Sequence, residues 1–139
     1  MVDLDKINGK LEVIRVCLSR LEKLRQGGQE EFLADFRLAD AAKHNLQVAI
    51  EAMIDVTNHI IARKGYAVPG NHAEAFEIIA REGWISVENV QNYSAMARFR
   101  NRVVHLYEDV NDEQVYRILE DNLEDFRSFL GAMGKKLTY

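Results

Sequence analysis

The fold is determined by residues 29–64, QEEFLADFRLADAAKHNLQVAIEAMIDVTNHIIARK, which keep helical spacing over their whole length. From Leu38 to Ile60 the apolar residues recur every three or four positions, so they fall on one side of a helix. Gly65 follows directly, and glycine commonly ends a helix. At 1.5 Å per residue the helix would span roughly 50 Å, so we expect it to bend or to extend into a partner. The apolar stripe consists of Phe32, Leu38, Ala42, Leu46, Ala49, Met53, Val56 and Ile60.

Four further segments show helical patterns, and the one at the N-terminus is the clearest. Asp3 precedes it as an N-cap, and the glycine pair at 27–28 ends it. The last predicted helix opens with a capping box, in which Asn111 is the cap and Gln114 reaches back to it. The four segments cover residues 4–25, 72–81, 86 or 89–104, and 111–133.

The absence of strand patterns fixes the predicted fold class. No segment sustains the two-residue alternation of a strand, so we predict no sheet. Amphipathic helices without strands bury their apolar stripes against one another. A length of 139 residues fits one domain. We therefore expect a single all-α domain over residues 1–139, an up-and-down bundle of about five helices.

The composition indicates a cytoplasmic protein. Cys17 is the single cysteine and cannot form an internal disulfide, which suits a reducing compartment. It lies within an apolar helical pattern, so we interpret it as a core residue. The N-terminus carries Asp3, Asp5 and Lys6 where a signal peptide needs an apolar run. No stretch approaches the roughly 18 apolar residues of a membrane span, so we expect no membrane contact.

Charge is distributed unevenly along the chain. The net charge is −4, which by itself disfavours a nucleic-acid partner. Residues 89–107, called the basic stretch below, contain no acidic residue but include Arg98, Arg100 and Arg102. Such a local basic region on an acidic protein can still bind a phosphate, although a solvated arginine surface is the simpler interpretation.

The basic stretch also contains a histidine, His105, in the sequence RFRNRVVHLY of residues 98–107. On a regular helix it shares a polar face with Arg98, Asn101 and Arg102. Asn101 precedes it by four positions, so we expect a side-chain hydrogen bond that fixes the imidazole tautomer. From the residues alone, a structural histidine beside solvated arginines remains an alternative to a functional site.

These residue types suit RNA cleavage without a metal ion. The reaction needs a general base for the 2′-OH proton, a general acid for the leaving 5′-oxygen, and cations beside the phosphorus. Arg100 and His105 lie about 140° apart on a regular helix and would not reach one phosphate together. Either the helix breaks before His105, or a second chain in a symmetric homodimer supplies the missing group.

The string Arg100-Asn101-Arg102-Val103-Val104-His105-Leu106-Tyr107 resembles the R-x4-H-x-Y signature of HepT-like proteins, a branch of the HEPN superfamily. Arg98 also precedes His105 in an R-x6-H pattern, but Arg100 is followed by Asn101, as in the family. The resemblance extends over nearly the whole chain and includes residues 45–52, 59–62, 69, 76–80, 115–119 and 125–129.

The resemblance implies the toxin of a type VII-like toxin–antitoxin pair, acting as a homodimeric, metal-independent endoribonuclease. It implies Arg100 and His105 as catalytic residues, and it suggests that Asn101, Arg98 and Arg102 bind or orient RNA. The implied partner is an MNT-type nucleotidyltransferase antitoxin, which neutralises the toxin by transferring AMP to the tyrosine that matches Tyr107. No DNA partner and no cofactor are expected.

Other interpretations stay open at this point. His44, His59 and His72 are too scattered to form a metal site, so none is predicted. The alternative function is a non-catalytic helical binding module that serves a nucleotidyltransferase partner. A purely structural helical dimer would be favoured if Arg100 and His105 were both buried and paired internally.

Overall fold

The computed structural model describes residues 2–105 and 110–137, and the secondary structure in these ranges is helical throughout. The predicted all-α class is therefore confirmed. One 3₁₀ turn, Val87–Asn89, precedes the fifth helix. The helices are α1 Leu4–Arg25, α2 Gly28–Ala34, α3 Phe36–Lys64, α4 His72–Arg81, α5 Val90–His105, α6 Asp112–Asp121 and α7 Leu123–Leu137.

The long helix predicted over residues 29–64 is in fact two helices, α2 and α3, separated at Asp35. The backbone of Asp35 is extended, with φ −132° and ψ 104°, and its carboxylate accepts a hydrogen bond from the backbone N–H of Arg37 at 3.0 Å. Asp35 therefore caps α3, and the expected bend lies there. Hydrogen bonds from Arg37 also lower the pKa of the Asp35 carboxyl.

The predicted helix over residues 111–133 is likewise divided, into α6 and α7. The backbone N–H of Asn122 donates to the carbonyl of Ile118 at 2.9 Å, and its own carbonyl accepts from Asp125 at 3.1 Å. The predicted capping box between Asn111 and Gln114 is confirmed. With both divisions, the described residues form seven α-helices instead of the predicted five.

The helix α3 is the centre of the molecule. It packs along α1 and also contacts α2, α4, α5 and α6. It ends at Lys64, and Gly65 caps it, as predicted; the φ of Gly65, 69°, lies in the left-handed region that glycine adopts most easily. Cys17 is buried in the core, as predicted, and burial raises the pKa of its thiol.

A buried aromatic cluster fixes the orientation of α5. The ring of Tyr93 lies edge-on to Phe76 of α4 and to Phe129 of α7, with 5.7 Å between ring centres in each pair. Its hydroxyl forms a 2.6 Å hydrogen bond with Ser128. Edge-to-face aromatic pairs stabilise beyond the area they bury, so α5 is held at a defined rotation. None of the described helices is long and apolar enough to cross a membrane.

Candidate active site

The predicted catalytic and RNA-binding residues, which lie between positions 98 and 105, occupy the last two turns of α5. Met96, Phe99 and Val103 bury the apolar face of this helix. The helix continues through His105, so it does not break before the histidine. One of the two ways of bringing Arg100 and His105 together is thereby excluded, and the two side chains leave a regular helix about 140° apart.

Arg100 is held by a carboxylate of the central helix. Its Nε and Nη2 donate to the same Oε1 of Glu51, at 3.1 and 2.9 Å. That oxygen also accepts from Nε2 of Gln47 at 3.3 Å. The side chains of Arg100 and Glu51 are 25% and 35% exposed, so the ion pair is partly shielded but open to a ligand. The guanidinium is therefore attached to α3 as well as to α5.

Asn101 has a different partner from the predicted one. Its Oδ1 accepts a hydrogen bond from Nη1 of Arg100 at 3.0 Å. No hydrogen bond joins Asn101 to His105 among the residues described. Because Glu51 draws the guanidinium of Arg100 towards α3, the remaining Nη1 comes to lie beside the amide of Asn101. Hydrogen bonds thus join Arg100, Asn101 and Glu51, and none among the described residues extends from this group to His105.

The remaining charged residues of the basic stretch differ in exposure. Arg98 and His105 are exposed, whereas Arg102 is half-buried. Nη2 of Arg102 donates to Oε1 of Gln114, at 3.4 Å, and this amide also closes the capping box of α6. Arg98 and His105 are therefore the groups most accessible to a ligand. Tyr107 lies outside the described residues, so its predicted modification stays a prediction.

Sequence reasoning missed Glu51 as a member of this site. The ion pair joins residues 49 positions apart, and no local pattern reports such a contact. One signal was available, because Glu51 is the only charged residue in the segment 45–54, NLQVAIEAMI. An ionised side chain in a largely apolar helix segment needs a partner, and an arginine is the most suitable one.

Of the other histidines, His44 is exposed, whereas His59 and His72 are half-buried. Nε2 of His59 accepts a hydrogen bond from the backbone N–H of Asp3 at 3.1 Å. Burial is the main cause that lowers the pKa of His59, and the nearby charges of Lys6 and Arg63 lower it further. His72 lines a small cavity of about 90 Å³ beside Arg100, a position that its sequence context does not indicate. Across residues 2–105 and 110–137, no group of three or more His, Cys, Asp or Glu side chains has an arrangement that could hold a metal ion.

The sequence matches a known protein family and is similar to two proteins named as nucleases. The family described as ribonuclease HepT-like matches residues 14–133. An mRNA nuclease HepT from Shewanella oneidensis is 32% identical to this chain, over 93% of this chain and 96% of its own. A tRNA nuclease HepT from Aphanizomenon flos-aquae is 25% identical, over 94% of this chain and 89% of its own.

A solved structure has the same fold. It is the tri-AMPylated HEPN toxin of Shewanella oneidensis in complex with an MNT antitoxin. The TM-score is 0.86 at 30% sequence identity, and the alignment covers 94% of this chain and 98% of the toxin. The likeness therefore extends over nearly the whole chain, and the family match at residues 14–133 includes α5 with its candidate site.

Proposed function

This chain belongs to the ribonuclease HepT-like family of HEPN toxins, and from that premise we propose that it is a toxin that cleaves RNA. Two relatives are named as nucleases, one of mRNA and one of tRNA, which supports RNA as the substrate. We further propose that residues 1–139 act as one domain in the cytoplasm, as a metal-independent endoribonuclease.

His105 is the proposed acid and base of the reaction. Its imidazole takes the proton of a ribose 2′-OH, and the 2′-oxygen forms a bond to phosphorus. The bond from phosphorus to the 5′-oxygen breaks, and that oxygen leaves with a proton from an imidazolium. The products are a 2′,3′-cyclic phosphate and a 5′-hydroxyl, so no water and no metal ion enter this step. The exposure of His105 at the end of α5 supports this role.

Arg100 is proposed to stabilise the charge that develops on the phosphorane. A planar guanidinium matches phosphate oxygens with two parallel N–H groups. Asn101 is proposed to orient this group, in agreement with its 3.0 Å hydrogen bond to Arg100. Arg98 and Arg102 are proposed as contacts to neighbouring phosphates of the RNA.

The proposed active form is a homodimer, and one observation carries it. The helix α5 is unbroken through His105, so Arg100 and His105 of one chain face different directions. A two-fold axis beside the basic stretch would place Arg100 of one chain and His105 of the other in a common groove. The dimer therefore completes a site that a single chain lacks.

The proposed partner is an MNT-type antitoxin that neutralises the toxin by adding AMP to Tyr107. The similar toxin of Shewanella oneidensis is tri-AMPylated and bound to an MNT antitoxin, which supports this assignment. Each AMP adds a negatively charged phosphate and a bulky nucleoside near the basic stretch. RNA would then be repelled and sterically excluded from the groove.

The alternative is a binding module without nuclease activity. The ion pair between Arg100 and Glu51 favours it to a limited degree, because an engaged guanidinium is less free to receive a phosphate. His105 is exposed, however, and a purely structural motif would bury both groups. A cleavage assay separates the two functions.

We expect the purified protein to cleave RNA at an unchanged rate in excess EDTA, because the proton transfers use only protein side chains. The assay is electrophoresis of labelled RNA with analysis of the 3′ ends, which should carry 2′,3′-cyclic phosphate. A magnesium-dependent nuclease in the same buffer serves as the control and should lose its activity. Cleavage that stops in EDTA and returns with Mg²⁺ would disprove the metal-free mechanism.

A further inference from the structure

We propose that Glu51 is a positioning residue, which orients the guanidinium of Arg100 for the cleavage of RNA. This inference rests on the proposed function. Two nitrogens of Arg100 donate to one oxygen of Glu51, at 3.1 and 2.9 Å, and the third donates to Asn101 at 3.0 Å. A guanidinium has five N–H donors, so two are left to donate hydrogen bonds to phosphate oxygens.

Glu51 is itself rigidly placed. It lies in the middle of the 29-residue helix α3, where the adjacent Ile50 and Ala52 are buried in the core. The same carboxylate oxygen is fixed from one helical turn away by Gln47, at 3.3 Å. A group on a well-packed helix holds a neighbour more accurately than a group on a loop does.

An arginine without such a partner samples many rotamers. Ordering its long side chain in the transition state then costs conformational entropy in every catalytic cycle. The contacts to Glu51 and Asn101 fix the plane of the guanidinium before the substrate arrives. Misplacement of a catalytic group by about 1 Å is enough to lower a rate by about 100-fold.

The charge of Glu51 gives the proposal a distinctive consequence. A carboxylate beside an RNA phosphate repels it, so Glu51 opposes substrate binding while it orients Arg100. Removing the carboxylate should therefore slow cleavage without weakening the binding of RNA. If Glu51 instead inhibited the enzyme by engaging Arg100, its removal would speed cleavage.

The test compares Glu51→Gln and Glu51→Ala with the unmodified protein, with kcat and KM measured on the same RNA. We expect kcat to fall by about 10- to 100-fold in the alanine variant, and less in the glutamine variant, which keeps an acceptor oxygen. KM should stay constant or decrease. Glu12→Gln is the matched control, since Glu12 pairs with Arg15 on the surface of α1 at 3.3 Å. That variant should behave like the unmodified protein.

A double-mutant cycle shows whether Glu51 acts through Arg100. In a chain that carries Arg100→Ala, the further change Glu51→Ala should not lower kcat again. Thermal melting of each variant checks folding, and Glu51→Gln conserves the volume of the side chain if the alanine variant is unstable. Full activity of Glu51→Gln and Glu51→Ala, faster cleavage, or an additive loss in the cycle would each overturn the proposal. Full activity of Arg100→Ala alone would instead refute the proposed function.

Discussion

Replacing His105 with alanine is expected to lower the rate of RNA cleavage by about 100- to 10,000-fold, the range that general acid–base catalysis contributes. The imidazole is the only side chain of the basic stretch that can both accept and donate a proton near neutral pH. The three arginines of this stretch remain charged at all relevant pH values and cannot replace it. Single-turnover cleavage of labelled RNA measures the loss.

The matched control for this variant is His44→Ala. His44 is also an exposed histidine, but it lies on α3 and outside the basic stretch. Its removal should leave cleavage unchanged. Because His105 is exposed, its truncation should leave the melting temperature nearly unaltered as well. Cleavage by the His105→Ala variant at the unmodified rate would remove the histidine from the mechanism.

Replacing Tyr107 with phenylalanine is expected to abolish both the addition of AMP and the neutralisation of the toxin. Phenylalanine keeps the aromatic ring but lacks the hydroxyl oxygen that would attack the α-phosphorus of ATP and displace pyrophosphate. The unmodified chain, co-expressed with an MNT-type nucleotidyltransferase, should gain the mass of one or more AMP groups. Intact-mass spectrometry and cell growth are the two readouts.

Tyr66→Phe provides the control for this chemical change. The hydroxyl of Tyr66 accepts a hydrogen bond from the indole N–H of Trp84 at 3.1 Å, so it is engaged in the structure of the domain. This variant should still receive AMP and still be neutralised. Neutralisation of Tyr107→Phe without any gain in mass would point to inhibition by binding alone.

The helices could largely be predicted from the sequence, but their interruptions could not. The helix α4 occupies residues 72–81, as its pattern predicts. The break at Asn122 was missed because apolar residues continue at helical spacing across it, from Leu119 to Leu123 and Phe126. The break at Asp35 was missed because the stripe resumes at Leu38, although this residue is six positions after Phe32. At each break a single capping residue ends the helix. Capping contributes only about 1 kcal/mol to stability, so its signal in the sequence is weaker than that of the apolar pattern.

In the candidate site, too, the local motif could be predicted from the sequence, but the long-range contact could not. The motif from Arg100 to His105 is a local feature and is recognisable in the sequence. The partner of Arg100 is not local, because Glu51 is 49 positions away and reaches it only through the packing of α3 against α5. This contact also explains why Asn101 bonds to Arg100 where the helical spacing predicted His105.

Two chains are proposed to share one catalytic groove, and subunit mixing tests this directly. The Arg100→Ala and His105→Ala variants carry different affinity tags and are mixed under conditions that allow their subunits to exchange. The dimers that carry both tags are then quantified. Each variant alone should be nearly inactive. The mixture should regain about a quarter of the unmodified activity, because half of the dimers are mixed and each has one complete pair of groups. If mixed dimers form but cleave RNA no faster than either variant alone, the shared groove is contradicted.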